Sequence, residues 1–365
     1  MKTTSSSVLL GHVQGIPIKI HWSFLLILGY VAFINVRAGA DTPQVIWALV
    51  FVLAIFACVV LHELGHALTA LYYGIHTRSI TLYPIGGIAA LEKIPEKPIQ
   101  ELAVTLAGPL VNVVLGILFW LLASWLTPQG IDLENASLTI SPSTFLINLA
   151  AVNLLLAVFN LIPAFPMDGG RVLRSVLAMA IGRLKATQIA MIVGQILAVI
   201  FIFKGFMGNP FLILIGAFVF FGAAQEYNSV RYTSVLSLHQ VRDALMTRFT
   251  LLSLDTTLAQ VRELILSGAE KEFVVVDHTG RPVGIFTRDL LIAHLSNQPE
   301  DTTVGQCYKP SDLTLSPDQS MEEAYRLMHE HQIPIAPVLE NNTITAVINT
   351  ENIMEYLMLT EGGEE

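Results

Sequence analysis

Charge is what this chain has least of. Asp, Glu, Lys and Arg make up 13% of its 365 residues, about half the share of a typical soluble domain, and the mean hydropathy is +0.61. The shortage is local. Residues 1–235 hold 12 Lys+Arg against 9 Asp+Glu, a net of +3, whereas residues 236–365 hold 8 against 20, a net of −12. An acidic, soluble-looking part thus follows an apolar, slightly basic one, and its acidity argues against nucleic acid as a direct partner. Cysteine is nearly absent as well. Cys58 and Cys307 lie far apart without CxxC spacing, which excludes a disulfide framework and a zinc ribbon. The opening Met1-Lys2-Thr3-Thr4-Ser5-Ser6-Ser7 has no apolar region followed by a small-residue cleavage site, so no removable signal peptide is expected.

What the first part does have is long apolar runs. A spanning helix needs about 20 apolar residues, and residues 22–36, 45–73, 102–126, 144–161, 187–203 and 211–224 are candidates, the first short and the last two near the lower limit. The expected architecture is a polytopic α-helical membrane domain over residues 1–235, of about six spans. Before the first, Gly15-Ile16-Pro17-Ile18-Lys19-Ile20-His21 alternates as a short interfacial strand does. Arg171, Arg174, Arg183 and Lys185 follow the fourth span, while the loop 127–143 has no basic residue. The positive-inside rule then puts the N-terminus, that basic loop and the acidic part on the cytoplasmic side of the plasma membrane.

His62-Glu63-Leu64-Gly65-His66 stands inside the second apolar run. Residues four apart share a helix face, so His62 and His66 can ligate one metal ion, with Glu63 placed to take a proton from a water that the metal activates. HExxH also turns up by chance on solvated helix faces, but nothing inside an apolar span would solvate these groups. A catalytic zinc takes three protein ligands and leaves one position open. The segment Asn160-Leu161-Ile162-Pro163-Ala164-Phe165-Pro166-Met167-Asp168-Gly169-Gly170 ends the fourth span at the right level to present Asp168, although it also reads as a plain helix stop and turn. Between the second and third runs, residues 80–91 are too short to cross, and Gly86-Gly87 after Pro84 signals a hairpin. It is either a re-entrant hairpin, whose edge can pair with an extended substrate, or a surface turn.

Together His62-Glu63-x-x-His66, Asn160-x-x-Pro163…Asp168-Gly169 and Ala107-Gly108-Pro109-x-x-Asn112 closely resemble the site-2 protease family of intramembrane zinc metalloproteases, over the whole apolar part. The resemblance implies one zinc ion per chain on His62, His66 and Asp168, with Glu63 as the catalytic glutamate. It also places Asn112 near the active site, where helix packing by small residues is an equal reading, and implies supporting roles for Asn160, Gly86 and Gly87. The implied substrate is a transmembrane protein such as an anti-sigma factor or a membrane-tethered regulator. No PDZ-like insert follows the metal helix, which fits the compact branch with a C-terminal regulatory module.

The acidic part reads twice, over residues 236–295 and 304–360, at an offset of about 62 residues. Each copy opens with a short amphipathic segment and continues through a helix and strands to a closing strand and helix. The pattern is similar to a CBS-domain pair, which implies an α/β fold, modulation of the protease, dimerisation and binding of ATP or another adenosine nucleotide. That family's nucleotide signature sets an Asp three residues after a Ser or Thr. Here Thr287-Arg288-Asp289 is one residue short, and the second copy offers Asn349 and Asn352 instead. Asp289 can still reach a ribose hydroxyl, and a purely structural, dimerising pair is the other reading. Two further functions compete with the protease, a membrane transporter gated by the C-terminal pair and a catalytically inactive scaffold.

Overall fold

The computed structural model describes residues 7–84, 86–92, 95, 97–126, 142–268 and 270–361. The loop without basic residues, up to Ser141, lies outside them. The chain divides into two units, residues 1–228 and 229–365.

The first unit opens with β1 (Ser7–Val13) and β2 (Ile16–His21), followed by α1 (Phe24–Arg37) and the metal-motif helix α2 (Thr42–Tyr72). Asp41 caps α2 with a reciprocal capping box to Gln44, and Pro43 stands in its first turn, where a missing N–H costs nothing. Next come β3 (Thr77–Tyr83), β4 (Gly86–Leu91), α3 (Pro98–Leu126), α4 (Phe145–Asn160), α5 (Asp168–Ile181), α6 (Arg183–Phe206) and α7 (Phe211–Leu236), whose residues from Ser229 on belong to the second unit. The four strands form one sheet in the order β1-β2-β3-β4, with β2 and β3 parallel and the outer pairs antiparallel. The alternating segment at residues 15–21 is its second strand. β1 carried no clear signal, because Val8, Leu9 and Leu10 are consecutive and all exposed. Ile16 and Ile80 of the sheet pack on Leu64 and Ala67 of α2, and this seats the β3–β4 hairpin against the metal helix.

Among the described residues, four helices are long and apolar enough to cross a membrane: α2, α3, α6 and α7, of 31, 29, 24 and 26 residues. The two expected to be marginal, α6 and α7, are extended by polar turns at their ends. The short ones are α1 and α4, with 14 and 16 residues. The basic segment after the fourth apolar run is not a loop. Arg171 and Arg174 lie in α5, an amphipathic helix, and Arg183 and Lys185 open α6; Arg174, read above as a loop cation, is fully buried.

The second unit holds β5 (Leu251–Ser253), α8 (Leu258–Ser267), β6 (Glu272–Val276), β7 (Pro282–Thr287), α9 (Arg288–Leu295), β8 (Lys309–Pro310), α10 (Met321–Glu330), β9 (Ile335–Glu340), β10 (Thr343–Asn349) and α11 (Thr350–Glu361). The two sequence copies are not the packing units. β8, from the opening of the second copy, completes the sheet β5-β6-β7-β8 of the first, and Val304 and Cys307 lie in the same core as Phe273 and Phe286. Reciprocally, Met246 bridges Val347 on β10, and Leu236, Val241 and Ala244 join the core of Met321, Val338 and Ile348. Each copy lends its opening segment to the other. A repeat period cannot reveal this, since self-closure and exchange bury the same apolar residues. Leu236→Ala is expected to cost about 2–5 kcal/mol. Hydrogen exchange should then quicken in β9 and β10, the sheet of the second copy, before it does in β5 to β7.

Candidate metal centre

Helix periodicity puts His62 and His66 one turn apart on α2, and α3 is what aims them. The His62 Nδ1–H donates to Asn112 Oδ1 at 2.8 Å, and the His66 Nδ1–H donates to the Val104 carbonyl, also at 2.8 Å. With both Nδ1 protons engaged, each ring turns its Nε2 lone pair inward. The two Nε2 atoms are 3.1 Å apart. Asp168, the first residue of α5, brings Oδ2 to 3.3 Å from the His62 Nε2 and 3.2 Å from the His66 Nε2.

These three atoms form a nearly equilateral triangle of acceptors. Tetrahedral zinc with bonds of about 2.0–2.2 Å separates its ligand atoms by roughly 3.3 Å, so the spacing fits zinc. Three converging lone pairs in a buried site repel one another, and a cation among them removes the repulsion. The centre is the only group of three or more His, Cys, Asp or Glu with ligand spacing among the described residues, and His62, His66 and Asp168 are all buried.

Close backbone approach makes the geometry possible, and two glycines provide it reciprocally. A Cβ on Gly65 of α2 would stand 2.9 Å from the Ala107 carbonyl oxygen on α3, and one on Gly108 of α3 would overlap the His66 Nε2 and lie 2.8 Å from that of His62. Asp168 is set by the backbone too. Pro163 and Pro166 interrupt the chain after α4, Met167 is extended, and a carboxylate opens α5, where the helix N-terminus favours negative charge. Gly169 and Gly170 press against the backbone of residues 161–165 so tightly that no Cβ fits.

The remaining expected site residues are placed as follows. Glu63 lies beside the hairpin, and a Cβ on Gly87 would come 2.8 Å from its Cγ. Gly86 adopts φ +140°, a region open to glycine. Asn112 is buried against His62, whereas Asn160 closes α4 half-buried and bonds to none of the three ligand side chains. Sequence reading missed the Val104 carbonyl, which has no side-chain signal, and also Glu101, Arg174 and Glu226, whose charges meet only in the folded bundle.

In the second unit a cavity of about 310 Å³ is lined by Glu272, Thr287, Asp289 and Lys309 together with Gln332 and Pro334. Thr287 caps α9 by accepting from the Leu290 N–H, and Asp289 stands largely exposed in the first turn of that helix. The Lys309 ammonium donates to the carbonyls of His331 and Gln332 at 3.1 and 2.7 Å. Burial, with Glu351 nearby, pushes the Glu272 carboxyl above its usual range. The matching positions of the second copy serve the protein itself. Asn349 Oδ1 accepts from the Asn352 N–H, and the Asn352 amide donates to the Ala244 carbonyl.

Apolar helices of membrane length around a buried His-His-Asp cluster, with a glutamate between the histidines in sequence, define a membrane metallohydrolase with a separate α/β module. Residues 50–203 match the model of Peptidase family M50, and residues 241–297 and 304–359 each match the CBS domain. The chain is 32% identical to the "Zinc metalloprotease MJ0392" of Methanocaldococcus jannaschii, over 98% of each protein. It is 30% identical to the "Putative zinc metalloprotease sll0528" of Synechocystis, over 97% of this chain and 96% of that one. The solved "Site-2 Protease from Methanocaldococcus jannaschii" is 39% identical and covers 60% of this chain and 95% of its own, with a TM-score of 0.45. The chain belongs to Peptidase family M50, the site-2 proteases, and is a membrane zinc metalloprotease with a C-terminal CBS pair.

Gly108→Ala puts a methyl group where the two histidine Nε2 atoms stand. It is expected to lower the zinc content of the purified protein at least tenfold by elemental analysis, with helix content by circular dichroism unchanged.

Proposed function

We infer that this protein is an intramembrane endopeptidase that cuts a peptide bond in or beside a transmembrane segment of a membrane-bound regulatory protein. The observation that carries this reading is the 3.1–3.3 Å triangle of His62, His66 and Asp168 atoms, with Glu63 next to the first of them, on a helix of membrane-crossing length. A zinc ion held there supplies Lewis-acid activation of a water and of the scissile carbonyl. Glu63 takes the proton of the attacking water and returns it to the leaving amine. Asn112 and the Val104 carbonyl hold the two imidazoles in one tautomer and one orientation throughout.

The β3–β4 hairpin supplies the substrate platform. β4 ends the sheet, so its outer main-chain groups can pair with an extended segment. Gly87, with no Cβ, lets Glu63 lie directly against β4, so a segment paired to that edge would run close to Glu63. A substrate helix must unwind first, because its carbonyls are hydrogen-bonded along the helix and shielded. Strand pairing offsets that cost. In this reading the hairpin is re-entrant, α1 and α4 complete six spans, and the N-terminus, metal centre and CBS pair face the cytoplasm.

The CBS pair modulates the protease and offers a dimerising surface, and its cavity takes an adenosine ligand, with Thr287 and Asp289 on the ribose hydroxyls. The Lys309 ammonium is held by two carbonyls and Glu272 is acidic, so phosphate groups would sit at the open rim.

Two experiments test these statements. Glu63→Gln, reconstituted in lipid vesicles with a single-span substrate, should retain zinc and lose about 10²–10⁴-fold in cleavage rate. Equal rates would sink the protease reading. Asp289→Ala in the full-length protein should weaken adenosine-nucleotide binding at least tenfold in equilibrium dialysis, and unchanged binding would remove Asp289 from the site.

A further inference from the structure

Arg174 has no solvent exposure, and it lies on the same helix as Asp168, six residues or about 9 Å further along. Its Nε donates to Glu101 Oε1 at 2.9 Å, its Nη2 bonds the same oxygen, and its Nη1 donates to Glu226 Oε1 at 2.7 Å. Its guanidinium lies 5.0 Å from the ring centre of Phe165, in the segment that leads to Asp168. One side chain therefore ties α5 to α3, to α7 and to the chain leading into α5.

The α3 partner is what gives this meaning. Glu101 stands three residues before Val104, whose carbonyl orients His66, and α3 also carries Gly108 and Asn112 against the two imidazoles. α3 is thus the reference frame for both histidines, and the Arg174–Glu101 fork fixes the helix that carries Asp168 to that frame. We propose that Arg174 is a positioning residue for the metal centre, setting the rotation and depth of α5 so that Asp168 completes the donor triangle.

Removing one member of a buried ion cluster leaves charge without a partner, whereas replacing the whole cluster by apolar residues of similar size is often tolerated. Apolar packing keeps helices together but does not fix their rotation as a forked hydrogen bond does. The expectation follows from this difference. The inference rests on the zinc-protease reading, so its test carries a readout that needs no zinc.

The experiment compares wild type, Arg174→Met, and the triple variant Glu101→Leu with Arg174→Met and Glu226→Leu, all full length in detergent. Zinc retention is measured against a competing chelator, and backbone hydrogen exchange over residues 168–174 without metal. Both variants should hold zinc about 10–100-fold more weakly, as loss of an outer positioning group does, and should exchange faster in the first turn of α5. Arg174→Lys, which keeps the charge but loses the fork, should fall between. If Arg174→Met does not fold, the triple variant carries the test. A triple variant that folds, binds zinc like wild type and exchanges like wild type reduces the cluster to a stability element and overturns the proposal. If wild type itself binds no zinc, the zinc-site reading fails, and exchange over residues 168–174 alone decides whether Arg174 holds α5.

Discussion

A polar atom buried among apolar helices must find a partner, and the first unit is organised around that requirement. His62, His66 and Asp168 are buried where water cannot satisfy them, so their surroundings must provide each hydrogen bond and leave one side for a metal. α3 carries most of this burden. Asn112 and the Val104 carbonyl take the outer nitrogens of the two histidines, and Gly108 removes a side chain so that the imidazoles fit. Glu101, on the same helix, takes Arg174. A helix that carries none of the three donors is therefore the one on which their placement depends.

The hairpin answers a related problem. Exposed strand edges are costly within a bilayer and risky outside one. Here the sheet rests on α2 through Ile16, Ile80, Leu64 and Ala67, and β4 is left at its edge beside Glu63. In the second unit the exchange of opening segments between the two repeats shares each core across both copies, so neither copy closes its core alone.

Much of this was legible in the residues. HExxH on an apolar run and the Asp-Gly-Gly after two prolines are local patterns, and the 62-residue repeat is a period along the chain; both survive the loss of three-dimensional information. The approach of the start of α5 to the histidines of α2 was less so. The sequence reads residues 160–170 either as a plain helix stop and turn or as a break that presents Asp168; the structure starts α5 at Asp168, with Gly169 and Gly170 packed on residues 161–165. In the sequence Arg174 is one cation of the basic segment after the fourth apolar run, and nothing singles out Glu226. Their meeting at 2.7 Å depends on the fold bringing this point of α5 to α7, which no spacing in the chain encodes.

The sequence by itself determined which side chains can bind metal, which runs are apolar enough to cross a membrane, and that the acidic part is built twice. Each of these follows from side-chain chemistry, run length or period along the chain. Only the tertiary structure decided that α3 aims the histidines, that a buried arginine joins the Asp168 helix to it, and that the repeats trade their opening segments. Those outcomes depend on which distant surfaces come within a few ångströms. Backbone approach at Gly65 and Gly108, and closure of one repeat by the other, are properties of pairs of segments, so neither segment records them alone.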